Sequence, residues 1–430
     1  MSPSPTWSRV LSSCRSEFTT PSWRLFCELT CAWVVCPGRH TITRLWASIP
    51  ITTRRSYHAY ARLLRRGRWD PDGIFQRLLG WVVTQLAPEG RLVLLVDDTL
   101  VRKSGRKIDG VGIFRDVVAG AFSTRMVTAL GLNVVVLGLR LQPPWKGEPL
   151  ALPVGIRLHR KRGPTQTDLA AEMARKVAQW LPEREFWLVA DGAYSRLLRM
   201  GLPRTQVITR LRSNAALYEL PAPRRPHQKG RPRKKGQRLP VPALLAAGCQ
   251  LWRRKEVPVR TQIRGLELCS RQVLWYQTCP QPVLVVMART VDGPEEELYL
   301  ATNAVEGDPA EVVSLYADRW AIEVCFRDVK QLVGGGDPQS WVRPAPERAV
   351  ALASWMYSAV WAWFSAQWEQ GSSYWPYRPW YLRKRTPAFA DALAALRRDL
   401  WAERVSGTTT PGDLNHAILQ DLLEALALAA

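Results

Sequence analysis

A chain of 430 residues, 47% of them hydrophobic, is long enough to bury a large core and to divide into two or three domains, which excludes a disordered chain. Lys and Arg number 60 against 37 Asp and Glu, a formal charge of +23, and each phosphate neutralised by such cations releases condensed counterions. The composition therefore points to a polyanionic partner, nucleic acid first and an acidic membrane surface second. The N-terminus MSPSPTWSRV has no apolar stretch of the secretory kind, so a cytoplasmic, DNA-associated protein is expected.

Residues 1–88 read as helical, with apolar-periodic segments at Pro21–Val35 and Pro71–Leu86 separated by Pro, Gly and Arg-rich links. Cys27, Cys31, Cys36 and His40 invite a zinc reading, but their spacing matches no common structural site, and buried thiols in a reducing compartment are expected instead. The segment from Thr41 to Trp69 is rich in cations and aromatics. It reads either as a small helical DNA-binding unit or as a solvated helical face, with no recognition helix identifiable.

From Arg91 the pattern changes to that of an α/β sheet. LVLLVD ends an apolar run in Asp97, β-branched runs follow before Leu141, Asp168–Leu181 is helix-like, and FWLVAD repeats the strand-then-acid pattern at Asp191. Between Arg224 and Arg238 eight of fifteen residues are Lys or Arg among Pro and Gly, which predicts an unpacked basic loop. Its KGRPRKK core resembles an AT-hook, making Arg231, Arg233, Lys234 and Lys235 candidate DNA contacts. Residues 241–304 alternate apolar and polar as β-strands do, and the chain from Leu315 returns to helix. Ala349–Trp368 carries no charge for 20 residues, yet its Ser, Tyr and Gln residues favour a buried core helix over a membrane span.

The segment YADRWAIEVCFRDVK, Tyr316 to Lys330, predicts one amphipathic helix. At about 100° per residue, with Glu323 at zero, Tyr316 falls near +20°, Arg319 near −40° and Lys330 near −20°, while Ile322, Cys325, Phe326, Val329 and Val333 form a separate apolar arc. One stripe thus presents a carboxylate framed by a phenol and two cations. The plain alternative is a solvated helix whose Arg319–Glu323 and Glu323–Arg327 pairs contribute a few tenths of a kcal/mol. Three acids on separate elements, Asp97, Asp191 and Glu323, are oxygen donors suited to Mg²⁺ and to phosphoryl transfer with two metal ions. At the first position Asp97 is preferred, although Asp98 points to the other face of a continuing strand and Asp98-Thr99 also suits a turn or cap.

These residues resemble the DDE-type insertion-sequence transposases, which carry a strand-end Asp in an hhhD-x-T context, a second strand-end Asp followed by an aromatic, and a helix reading Y-x2-R-x3-E-x6-K. The matching stretches are VDDT at Asp97–Thr99, DGAY at Asp191–Tyr194 and Tyr316, Arg319, Glu323 and Lys330. The resemblance implies a ribonuclease-H-like α/β core in two parts, residues 89–220 and 306–370, with Asp97, Asp191 and Glu323 binding two Mg²⁺ ions (Mn²⁺ as substitute). It further implies that Tyr316, Arg319 and Lys330 hold phosphates at an element's end. Asp191 and Glu323 are 132 residues apart, a gap that resembles the inserted β-rich domain of the hairpin-forming branch, here residues 221–305, with Trp252 and Trp275 as stacking candidates or core residues. A DNA-end-binding domain in 1–88, a helical region in 371–430, a dimeric synaptic complex on double-stranded DNA and a bacterial source are implied by the same likeness. A non-catalytic or domesticated DNA-binding protein, and a nuclease without strand transfer, are the alternatives.

Overall fold

In the computed structural model, which describes residues 5–120, 125–223, 230–291, 297–371, 383–406 and parts of 419–427, the chain opens with five helices. They are α1 (Pro5–Ser13), α2 (Thr20–Val35), α3 (Ile42–Ala47), α4 (Tyr57–Arg66) and α5 (Pro71–Leu86). Local chemistry sets their starts: Thr19 accepts from Ser22 N ahead of Pro21, and Asp70 accepts from Asp72 N ahead of Pro71. Cys27, Cys31 and Cys36 lie on or just after α2, and His40 Nε2 lies 3.0 Å from the Trp33 carbonyl. Burial pushes the Cys27 thiol up to about 12 and the Cys31 thiol to about 11.

The central sheet follows. β1 (Leu92–Arg102) pairs antiparallel with β3 (Thr128–Leu141) and parallel with β5 (Phe186–Ala190), which pairs parallel with β6 (Thr205–Arg210). β2 (Gly112–Arg115) and β4 (Leu150–His159) both lie along β3. Strands buried on both faces need near-continuous apolar runs, which Leu92–Val96 and Phe186–Ala190 supply. The short α6 (Val117–Gly120) precedes β3. α7 (Gln166–Trp180), started by a Thr165–Asp168 capping box, packs on β3 and β4.

The inserted segment contains α8 (Pro242–Ala247) and four strands, β7 (Arg253–Val259), β8 (Gln262–Leu274), β9 (Pro282–Thr290) and β10 (Glu297–Thr302). These strands do not form a detached sheet. β10 pairs with Ile208–Arg210 of β6, so the path runs β2-β3-β1-β5-β6-β10-β9-β8-β7 with β4 beside β3. The second edge of β6 would otherwise leave backbone N–H and C=O groups unpaired, and the insertion satisfies them. Among the eight cysteines, Cys249 and Cys269 are joined as a disulfide within this insertion, unlike the thiols expected throughout.

The C-terminal third supplies α9 (Pro309–Asp318), α10 (Trp320–Gln331), α11 (Ala345–Glu369) and α12 (Phe389–Ser406). α9 packs on β7, β8 and β9, and α10 on β1 and β4. α11 is buried on all sides from Ala349 to Ala366, against β4, α1, α5 and α12, as expected of a core helix. Among the described residues no helix is long and apolar enough to cross a membrane.

Candidate active site

The register of the two parallel strands places the first two acids together. Val96 of β1 lies beside Ala190 of β5, so Asp97 and Asp191 are the next residue on each. β5 stops there: Asp191 caps a 3₁₀ turn, Gly192–Arg199, its Oδ1 accepting from Gly192 N, while Thr209 Oγ1 donates to its carbonyl at 2.9 Å. Gly192 sits so close to β6 that an added Cβ would lie 3.0 Å from the Arg210 carbonyl oxygen.

Asp97 and Asp98 have separate partners. Asp98 accepts from Tyr194 OH at 3.0 Å and from Asn133 Nδ2 at 2.7 Å, and Asn133 in turn accepts from Gln166 Nε2 at 3.2 Å. Both oxygens of Asp98 are therefore taken by protein donors. Asp97 instead accepts from Asp98 N at 2.8 Å and forms a 2.8 Å ion pair with Arg319. Burial pushes Asp97 up to about 7, helped by the Asp98 and Asp191 charges and only partly offset by Arg319 and the Asp98 N–H. The nearby Tyr194 hydroxyl is likewise held well above its usual value by burial and by the Asp98 and Asp97 charges.

The expected single helix from Tyr316 to Lys330 is two. α9 ends at Asp318 and α10 begins at Trp320, joined at Arg319 by a tighter turn in which Arg319 N bonds Tyr316 O and Ile322 N bonds Arg319 O. The break coincides with Asp318, buried at 4% exposure and ion-paired with Arg140 of β3 at 2.9 Å. The apolar arc is as expected, with Ile322, Cys325, Val329 and Val333 buried and Phe326 half-buried.

The polar stripe survives the joint. Arg319 spans two acids, holding Asp97 through Nη1 and Glu323 through Nη2 at 2.9 Å. Its guanidinium carbon lies 5.8 Å from the Tyr316 ring centre, and Asp97, Tyr316 and Glu323 keep it firmly charged against the opposing effect of burial. Burial raises the Tyr316 phenol; Arg319 opposes and Asp191 reinforces that rise. Two turns along, Lys330 Nζ donates to Thr99 Oγ1 at 2.6 Å, and burial lowers its pKa. The solvated-helix alternative fails on these contacts, since Arg319 reaches across 222 residues of sequence to Asp97, and Arg327 pairs with its neighbour Asp328 rather than with Glu323.

Among the described residues no three acids, thiols or imidazoles converge as a ready metal cluster. In the same contacts the Arg319 guanidinium bridges Asp97 and Glu323. The donor types nonetheless suit a hard divalent cation, because the acids are all carboxylates and Asp97 and Asp191 repel one another with one guanidinium to offset them.

The remaining candidates lie elsewhere. Arg231, Arg233, Lys234 and Lys235 are exposed, with Lys235 Nζ 4.0 Å from the Tyr218 ring centre, while 224–229 of the same basic segment fall outside the described residues. Trp275 is buried, and Trp252 is half-buried under the Arg289 guanidinium at 4.4 Å. Asn133 and Gln166 carried no sequence signal, because their contacts form between distant segments and leave no spacing, whereas Thr99 and Tyr194 stood in the VDDT and DGAY stretches.

A family model described as DDE superfamily endonuclease matches residues 18–278. The match contains Asp97 and Asp191 and stops before α9 and α10. No curated protein matches the chain.

Proposed function

Since the chain belongs to the DDE superfamily of endonucleases, we propose that it is a DNA transposase that cleaves phosphodiester bonds at the ends of a mobile element and joins the freed ends to target DNA. The observation that carries this reading is the Arg319 bridge, which brings the acid of α10 to the acid of β1, beside which Asp191 stands on the neighbouring strand. Asp97, Asp191 and Glu323 would hold two Mg²⁺ ions, with Mn²⁺ as a substitute. Such ions lower the pKa of bound water and offset charge on the attacking and leaving oxygens.

This chain's own residues supply position and charge. Arg319 and Lys330 offer cations and Tyr316 a neutral hydroxyl to the phosphates flanking the cut. Water attacks the scissile phosphorus, the bond to the 3′-oxygen breaks, and that oxygen leaves as a hydroxyl. In the joining step this 3′-hydroxyl attacks a target phosphodiester and releases a new 3′-oxygen, so no covalent enzyme intermediate is needed. Asp97 is taken as the ligand in preference to Asp98 because Asp191 stands beside it on the neighbouring strand and Glu323 is bridged to it by Arg319, while Asp98 is held by Tyr194 and Asn133. Element ends would be synapsed by a dimer, with the basic loop around Arg231, Arg233, Lys234 and Lys235 adding phosphate contacts.

The test is strand cleavage and joining on a duplex carrying the element's own end with Mg²⁺. Glu323→Gln should lower cleavage by at least 10²-fold while DNA binding persists, and Asp97→Asn and Asp191→Asn should do the same. Full cleavage by the Glu323→Gln protein would overturn the assignment. Hydrolysis without joining by the unaltered protein would reduce it to a nuclease.

A further inference from the structure

β7 packs along α9 and is fastened to it at two places. At the start of the helix, Lys255 Nζ forms a 2.9 Å ion pair with Asp308, whose side chain caps α9 by accepting from Ala310 N. Past its end, the Arg260 guanidinium carbon lies 5.1 Å from the ring centre of Trp320, the first residue of α10. The two spans agree in length. Lys255 to Arg260 covers about 17 Å at about 3.4 Å per strand residue, and Asp308 to Trp320 about 18 Å at about 1.5 Å per helical residue.

We propose that β7 is a splint through which the insertion fixes the α9–α10 joint, with Arg260 as a positioning residue for Arg319. The proposal rests on the reading of Arg319 and Glu323 as parts of the active site.

Arg260 stands where its own backbone disfavours it. Val259 pairs with Gln262, so Arg260 and Thr261 form a two-residue hairpin turn, and Arg260 has a φ of +56°. Glycine fills such a position without steric cost, whereas an L side chain is strained there. A strained and exposed arginine points to a task for its side chain that the turn itself does not need. That side chain reaches Trp320, and its charge also acts on Asp318: burial raises the Asp318 carboxyl, Arg140 opposes the rise, and Arg260 adds to that opposition. Thr261 supplies a further fastening, its Oγ1 donating to Glu148 between β3 and β4 at 3.3 Å. Arg319 is the one residue between Asp318 and Trp320. Its two neighbours are therefore held by different parts of the sheet, Asp318 by β3 and Trp320 by the tip of the insertion.

The experiment compares Arg260→Gly and Arg260→Lys with the unaltered protein. Amide hydrogen exchange read by mass spectrometry, without DNA or metal, should show the peptide across the joint, residues 316–323, exchanging about 10-fold faster in Arg260→Gly, because the Arg319 and Ile322 amides that close the joint's turn lose their support. The melting temperature should stay at or above that of the unaltered protein, since glycine relieves the strain at positive φ. With Mg²⁺ and a duplex carrying the element's end, kcat should fall by about 10-fold or more while KM stays within about twofold. Arg260→Lys keeps a cation over the indole and should largely restore both protection and kcat. Unchanged exchange and kcat in Arg260→Gly overturn the proposal. So does a raised KM with unchanged exchange, which would make Arg260 a phosphate contact, or a lowered melting temperature with faster exchange throughout, which would make it a structural residue of the turn. Because exchange reads no cleavage, it decides on the splint even if the unaltered protein proves inactive and the transposase reading falls.

Discussion

At the residue scale the site is governed by an imbalance of charge. Asp97 is buried against Asp98 and Asp191, with Arg319 as its cation, and its carboxyl is pushed up to about 7. A carboxyl raised in the folded state binds a proton there between about pH 4 and 7 that the unfolded chain has released, so its contribution to stability falls as pH rises across that window. Without divalent ions, the melting temperature of the unaltered protein should drop between pH 5 and 8 more steeply than that of Asp97→Asn. At pH 8 the variant should be the more stable by an amount on the order of 1–2 kcal/mol. Melting curves in EDTA over that range check this, and parallel curves for the two proteins would contradict it. A divalent cation that neutralises the acids should remove the difference for the unaltered protein, with its affinity rising through the same pH window as Asp97 loses its proton.

At the element scale the joint between α9 and α10 sets the direction of Arg319. Asp318 is buried and paired with Arg140, so breaking the pair from one side leaves an uncompensated buried charge, which costs about 3–5 kcal/mol. Arg140→Ala should therefore lower the melting temperature by several degrees and lower cleavage more than Asp318→Asn with Arg140→Ala, which removes both charges. If the double variant is no more stable than the single one, the pair does not hold the joint.

The same joint marks where sequence stops being informative. Period 3.6 correctly placed Ile322, Cys325, Val329 and Val333 on the buried side, because burial of a helix face is written into its own residues. Nothing in DRWAIE, which has neither Gly nor Pro, announces a break, because its partner Arg140 lies 178 residues away. Likewise LVLLVD and FWLVAD showed two strands carrying acids, but only β5 stops at its acid, since β1 runs on past Asp97 to Arg102 along β3. That Asp97 and Asp191 are neighbours, and that β10 completes the edge of β6, depends on long-range pairing that no local pattern records.

Over the whole molecule, one hydrophobic core runs from the N-terminal helices through the sheet to α11. Trp355 of α11 donates to the Ile74 carbonyl of α5 at 3.1 Å and packs edge-on to Phe26 of α2, while Trp33 donates to the Val333 carbonyl just beyond α10 at 2.8 Å. Ser358 donates to the Pro153 carbonyl of β4 at 2.8 Å, so a single helix ties α2 and α5 to the central sheet. The N-terminal helices thus share their apolar faces with the sheet region rather than enclosing a separate core. Trp355→Ala should cost about 3–5 kcal/mol through the cavity it leaves. Because the indole is locked among the N-terminal helices while its own helix α11 packs on β4, unfolding should stay a single transition, followed alike by helical circular dichroism and by cleavage activity. Two separated transitions, with the N-terminal helices melting alone, would show that the shared core is not cooperative.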